Sequence, residues 1–168
     1  NLGAEPSSQI AIAALRRGAS GRIWFGGLSG RLTCSVDGVM TAVPQPEKLS
    51  PDTILDVCEA RNSDIWIALA ASGLQRLNGG RVISLSVSDG LADNSVRCLL
   101  EDREGNIWAG TGGGGLNRIK RKKLRLVTTS DGLSHNGIMS LAEDDEGRVW
   151  IGSNGGGLSV AKDGGFSP

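Results

Sequence analysis

The chain has 168 residues, enough for one domain with a modest core. Its 18 acidic and 18 basic side chains cancel, so no global field points to nucleic acid or a membrane surface. No apolar run approaches the ~20 residues that span a bilayer, and no cationic, apolar secretion signal opens the chain.

The first residue is Asn1, which points to a processed protein or an excised fragment. Glycine is the compositional outlier, at 26 of 168 residues, about twice the usual ~7%. Cys34, Cys58 and Cys98 have no metal-ligand spacing, and their odd number argues against a disulfide framework. They read as small strand residues.

In chain order, Ala11 to Arg17 could pass for a helical turn, but it aligns with first strands further on. "GRIWFGGLSGRL" follows, around Trp24. "LSPDTILDVCEA" leads into "SDIWIALAASGL" around Trp66. "LADNSVRCLLED" leads into "GNIWAGTGGGGL" around Trp108, and "LSHNGIMSLAED" into "GRVWIGSNGGGL" around Trp150. The four tryptophans are evenly spaced, and Leu49, Leu91 and Leu133 recur at the same interval. One element is written four times.

The third copy resolves into four short strands: Val96 to Glu101, Asn106 to Thr111, Gly115 to Ile119, and Lys123 to Thr129. Between them lie the turn Asp102 to Gly105, the connection Gly112 to Gly114 and the turn Lys120 to Lys122. Short strands with turns every 8–12 residues imply antiparallel all-β structure. Four strands per 40–45-residue repeat imply a propeller blade. The expected fold is an all-β propeller segment with blades at about 7–48, 49–90, 91–132 and 133–168. The last blade is incomplete: its third strand runs from Gly157 to Ala161 and its outer strand barely begins at Phe166. Asn1 and Leu2 would complete that strand poorly, because Pro168 lacks a ladder donor. The segment is therefore expected to belong to a larger ring of about seven or eight blades, or to pair with a second copy.

The repeat disposes of a nucleotide reading. Gly110, Gly112 and Gly115 match G-x-G-x-x-G after a strand, but a basic strand follows where a dinucleotide fold needs a helix. The tryptophans read as inter-blade wedges, all four in blade cores, with Phe25 in the core beside them.

"EDREGNIWAGTGGGGLNRI", with the linkers "DGLADNSV" and "DGLSHNGI", resembles the two-component regulator propeller repeat. In that family an acidic-x-x-Gly turn precedes an aliphatic-Trp pair, then Gly-Thr and Gly-Gly-Leu. The resemblance spans the chain and is strongest in the third and fourth copies. The second copy has Ala68-Leu69 in place of Gly-Thr, and the first lacks the Asp-Gly-Leu linker. The resemblance implies a propeller in the periplasm or otherwise outside the cytoplasm, feeding a kinase or cyclase beyond this segment. Any membrane contact would then come through segments outside the chain.

The residues singled out as ligand-binding are Asn94, His135 and Asn136, on the linkers that share a face with the second-to-third-strand connections. The asparagines alternatively hold loop turns. Glu101-Asp102 and Glu143-Asp144-Asp145 read as solvated turn residues rather than a metal site, since they alternate with arginine and glycine. "RIKRKKLRL" reads as a solubilising blade edge rather than a nucleic-acid grip. No catalytic residue, metal or cofactor is expected. The function expected is a non-enzymatic sensor of an extracellular small molecule or glycan, or of a partner protein. An interaction scaffold and a streptogramin-lyase-like enzyme are the alternatives. An enzyme would need an acid partner for His135, and the sequence supplies none at fixed spacing.

Overall fold

The computed structural model describes residues 11–43, 49–120, 123–162 and 165–167. The expected blade limits at residues 7, 48 and 168, the Asn1–Leu2 closure and the turn at Arg121 and Lys122 lie outside the described residues. Four antiparallel sheets of four strands follow one another. The first holds β1 (Ile12–Arg17), β2 (Ile23–Gly27), β3 (Leu32–Val36) and β4 (Val39–Ala42). The second holds β5 (Ile54–Glu59), β6 (Ile65–Leu69), β7 (Leu74–Asn78) and β8 (Arg81–Leu85). The third holds β9 (Val96–Glu101), β10 (Ile107–Thr111), β11 (Leu116–Lys120) and β12 (Lys123–Val127). The fourth holds β13 (Ile138–Glu143), β14 (Val149–Ser153), β15 (Gly157–Lys162) and β16 (Gly165–Ser167). In every sheet the strands lie side by side in chain order, and β1, β5, β9 and β13 pack on one another in succession. These four are the inner strands of four propeller blades.

The Ala11–Arg17 segment is a strand, as its alignment implied. The outer strand of the third blade stops at Val127, short of the expected Thr129, because Thr129–Asp131 forms a 3-10 turn. The second blade has the same turn at Val87–Asp89. The Asp-Gly-Leu linker then has a physical explanation. The Asp89 and Asp131 carboxylates accept from the Ser86 and Thr128 amides at 3.0 Å. Gly90 and Gly132 take φ of 101° and 106°, which other residues rarely adopt. Leu91 and Leu133 are buried in the blade interfaces.

The faces between blades are the core. Trp108 and Leu116 of the third blade meet Ile138, Leu141, Val149 and Ile151 of the fourth in one buried cluster. The same positions one and two repeats earlier build the two preceding interfaces. The aliphatic residues beside each tryptophan thus face the preceding blade, while the tryptophan faces the next one. Two expectations are corrected by this geometry. Trp24, Trp66 and Trp108 are buried, but Trp150 is half-buried because no fifth blade covers it among the described residues. Phe25 is half-buried for the complementary reason, lying on the first blade's leading side.

Close packing fixes Gly110. A Cβ there would lie 2.6 Å from both Cys98 Sγ and Ile138 Cγ2. Gly110→Ala is expected to cost about 1–3 kcal/mol by overpacking. A urea midpoint equal to that of the parent chain would show that this interface can relax.

Candidate ligand site on the propeller axis

Each inner strand carries a bulge at the same place in the repeat. The pairing register skips Ala13, Leu55, Arg97 and Met139. A bulge leaves one residue unpaired and re-aims its side chain. All four bulged residues line one cavity of about 320 Å³, which the four inner strands share. The repeat thus delivers one side chain per blade to the axis.

The cavity wall is polar on one side. Asp56 is buried, and its carboxylate accepts from Arg16 Nε at 2.7 Å and Arg16 Nη2 at 2.8 Å. It also accepts from the Val57 and Leu99 amides, each at 2.8 Å. One carboxylate therefore ties the first, second and third blades together. The hydrogen bond to Asp56, followed by its charge, raises the Arg16 pKa despite partial burial. Arg16 is thus committed. Arg97 is exposed, and the contact of its Nη1 is Met139 Sδ at 3.6 Å. Among the described residues no carboxylate pairs with Arg97, so the cavity has one cation free to meet an incoming group. Ser140 adds a hydroxyl to the wall. Burial pushes the Cys98 thiol, also in the wall, up to about 12, and the Cys58 thiol likewise. Neither offers a thiolate nucleophile at neutral pH.

Asn94, His135 and Asn136 lie on the linkers between blades. The linkers do share a face with the second-to-third-strand connections: Gly73 N donates to Asn94 O and Gly115 N to Asn136 O, both at 2.8 Å. The Asn94 side chain accepts from Val87 N and the Asn136 side chain from Thr129 N, both at 2.9 Å. Each asparagine thereby locks the 3-10 turn before its own linker. His135 is exposed, and its Nδ1 accepts from Gly137 N at 2.9 Å. The side chains of Asn94 and Asn136 serve two separate linkers, and His135 shares the second of these with Asn136.

The turn acids are corrected in part. Asp102 is buried and accepts from Trp108 Nε1 at 2.7 Å. Asp144 accepts from Trp150 Nε1 at 2.8 Å, and this bond together with that from Arg148 holds its pKa well below the usual carboxylate range. Glu101 and Glu143 pair with Arg61 and Arg103 of the preceding blade. Only the exposed Asp145 side chain keeps the character of a solvated turn residue, and its carbonyl accepts from Arg103 Nη1 at 2.6 Å. The basic hairpin is likewise more than an edge: the Arg118 guanidinium lies 5.4 Å above the Trp108 ring. Sequence reasoning missed Asp56 and the bulged positions. An acid inside the apolar run "ILDVC", with Arg16 one repeat earlier, was the available signal.

Four sheets joined inner strand to inner strand, with a cavity at their convergence, make the chain a run of β-propeller blades. Residues 90–113 and 132–155 match the family described as two component regulator propeller. Each match runs from the glycine of the Asp-Gly-Leu linker past the tryptophan. Among solved structures, the extracellular domain of a protein described as a hybrid two component system from B. thetaiotaomicron is 25% identical. It superposes with a TM-score of 0.72 over 93% of this chain and 21% of that one. A catalytically inactive virginiamycin B lyase from Staphylococcus aureus, with quinupristin, is 15% identical with a TM-score of 0.75, over 97% of this chain and 56% of that one. A gluconolactonase from Xanthomonas campestris is 14% identical with a TM-score of 0.70, over 95% and 61%. The lyase and the lactonase share the fold alone. The chain spans about a fifth of the hybrid-system domain. No curated protein matches the sequence. Among the described residues no helix is long and apolar enough to cross a membrane.

Proposed function

We propose that the chain is a non-enzymatic sensing segment of an extracytoplasmic bacterial receptor, and that its ligand enters the axial cavity. The observation that carries this reading is the bulge repeated in all four inner strands, which turns Ala13, Leu55, Arg97 and Met139 toward one space. A volume near 320 Å³ is at the small end of ligand pockets, so it suits a molecule of about one sugar ring. Arg97 selects for an anionic group on that molecule, and Met139 and Leu55 for an apolar flank. The repeat family and the two-component neighbour support a signalling role over a catalytic one. So does the wall chemistry, in which the acid is locked to Arg16 and the thiol is held protonated.

Thermal denaturation against small carboxylic acids and single uronic acids tests the proposal. A ligand at a hundred times its Kd stabilises by about 2.7 kcal/mol, which moves the midpoint by several degrees. A saturable rise is expected, and it should vanish in Arg97→Ala. No rise with any acid, or a rise undiminished in Arg97→Ala, would overturn the assignment of the cavity.

A further inference from the structure

The four tryptophans do not treat their indole N–H groups alike. Trp108 Nε1 donates to Asp102 at 2.7 Å and Trp150 Nε1 to Asp144 at 2.8 Å, each acid belonging to the turn before its own strand. Trp24 has Gly18 in place of that acid, and its Nε1 donates at 3.0 Å to Glu59 of the next blade. Trp66 has neither kind of partner. Ala60 stands where Asp102 and Asp144 stand one and two repeats later. The turn itself is unchanged, since Ala60 N donates to Asp64 O at 2.8 Å as Asp102 N does to Asn106 O at 3.0 Å.

The nearby acids are committed elsewhere. Glu101, the equivalent of Glu59, is drawn to Arg61, accepting from its amide at 2.9 Å and its Nε at 3.2 Å. Asp64 accepts from Arg76 Nη2 at 2.6 Å, from Asn62 Nδ2 at 2.8 Å and from Asn78 Nδ2. Among the described residues Trp66 Nε1 thus has no acceptor, although Trp66 is only 7% exposed. A donor so placed is costly unless something meets it.

The indole N–H points to the place that residue 60 holds, and the Ala60 side chain stops short at Cβ. Both residues line a crevice of about 1320 Å³ between the second and third blades. It opens on the face of the first-to-second-strand turns, opposite the linkers, and shares no lining residue with the axial cavity. Ile83, Ile107 and Ile119 give it apolar flanks, and Lys120 stands at its outer end. Lys120 is exposed, and no carboxylate pairs with it among the described residues.

We propose that this crevice binds an acidic peptide segment, one carboxylate of which accepts from Trp66 Nε1. The other blades define the chemistry. Each of the three remaining indoles meets a carboxylate, from its own turn or from the neighbouring blade, and the peptide supplies the one that Ala60 omits. Lys120 adds a positive charge for the same class of ligand. The volume exceeds the ~1,000 Å³ upper end of small-molecule pockets, which suits a chain rather than a compact molecule. The isoleucines take the apolar neighbours of the acid.

Indole N–H resonances of the chain, read by heteronuclear NMR on isotope-labelled tryptophan, test this. Trp66→Phe keeps an apolar ring, removes the donor and identifies the Trp66 signal by its disappearance. The probe is a blocked tripeptide of glutamate flanked by alanines, with its glutamine counterpart as control. The Trp66 signal should move saturably with the glutamate peptide while the other indole signals stay in place. The glutamine peptide should bind at least about tenfold more weakly, the scale of one hydrogen bond to a charged acceptor. Ala60→Asn supplies an acceptor in the same turn without a further charge; it should move the Trp66 signal unaided and abolish the response. Arg97→Ala should leave the response unchanged, which separates this site from the axial cavity. A Trp66 signal indifferent to the peptide, an equal response to glutamine, a response that survives Ala60→Asn or one lost in Arg97→Ala would overturn the proposal. So would acetate acting at the same midpoint as the peptide, since the peptide chain would then add nothing.

Discussion

Trp108→Ala is expected to destabilise the chain by about 3–5 kcal/mol, in the upper range for core truncation. The ring is buried between the third and fourth blades. Phe166 meets it edge-on with centroids 6.4 Å apart, and Arg118 covers one face. Its indole N–H donates to Asp102, so the substitution also takes a donor from a buried carboxylate. Trp150→Ala should cost roughly half as much within one chain, because one side of that ring has no blade against it. Urea denaturation of the two variants compares these contributions. Equal losses at both positions would contradict the burial pattern.

Asp56→Ala should rank second, at about 2–4 kcal/mol. The cost comes less from the ion pair than from what the carboxylate satisfies. Arg16 is 44% exposed and can return to water. The amides of Leu99 and Val57 are buried and lose their acceptor. Asp56→Asn keeps one side-chain acceptor oxygen and should lose less. If Asp56→Ala shifted the urea midpoint by less than about 1 kcal/mol equivalent, the three-blade bridge would contribute nothing beyond its own desolvation.

The repeat period was legible because each blade must fill the same wedge with the same large ring. Tryptophan at a fixed spacing is the trace of that requirement, and strand type and blade number follow from it. What escaped was information that no single repeat carries. Asp56 aligns with Ala14, Cys98 and Ser140, so its role exists only where Arg16 from the blade before and Leu99 from the blade after converge. Glu101 and Glu143 looked like turn acids, because their arginine partners lie a whole blade upstream. The bulges at Ala13, Leu55, Arg97 and Met139 have no residue type in common. A register shift is a property of paired backbones, and it leaves no mark on one strand read alone. Conversely, Asn94 and Asn136 stood out in the sequence because they recur. The recurrence reflects a local backbone need, the locking of a 3-10 turn.

The three interface clusters are separate, each shared by two consecutive blades. Such an arrangement is close to one-dimensional, so its free energy divides into blade terms and nearest-neighbour terms. Among the described residues each inner strand packs on the next in chain order. The Asp56 carboxylate departs from this rule, since it ties the first blade to the second and third at once. It acts as a latch on the first blade, and the fourth has no counterpart, because Cys98 stands where the equivalent acid of the third blade would be. The fastening between blades is thus mechanically asymmetric although the sequence is periodic.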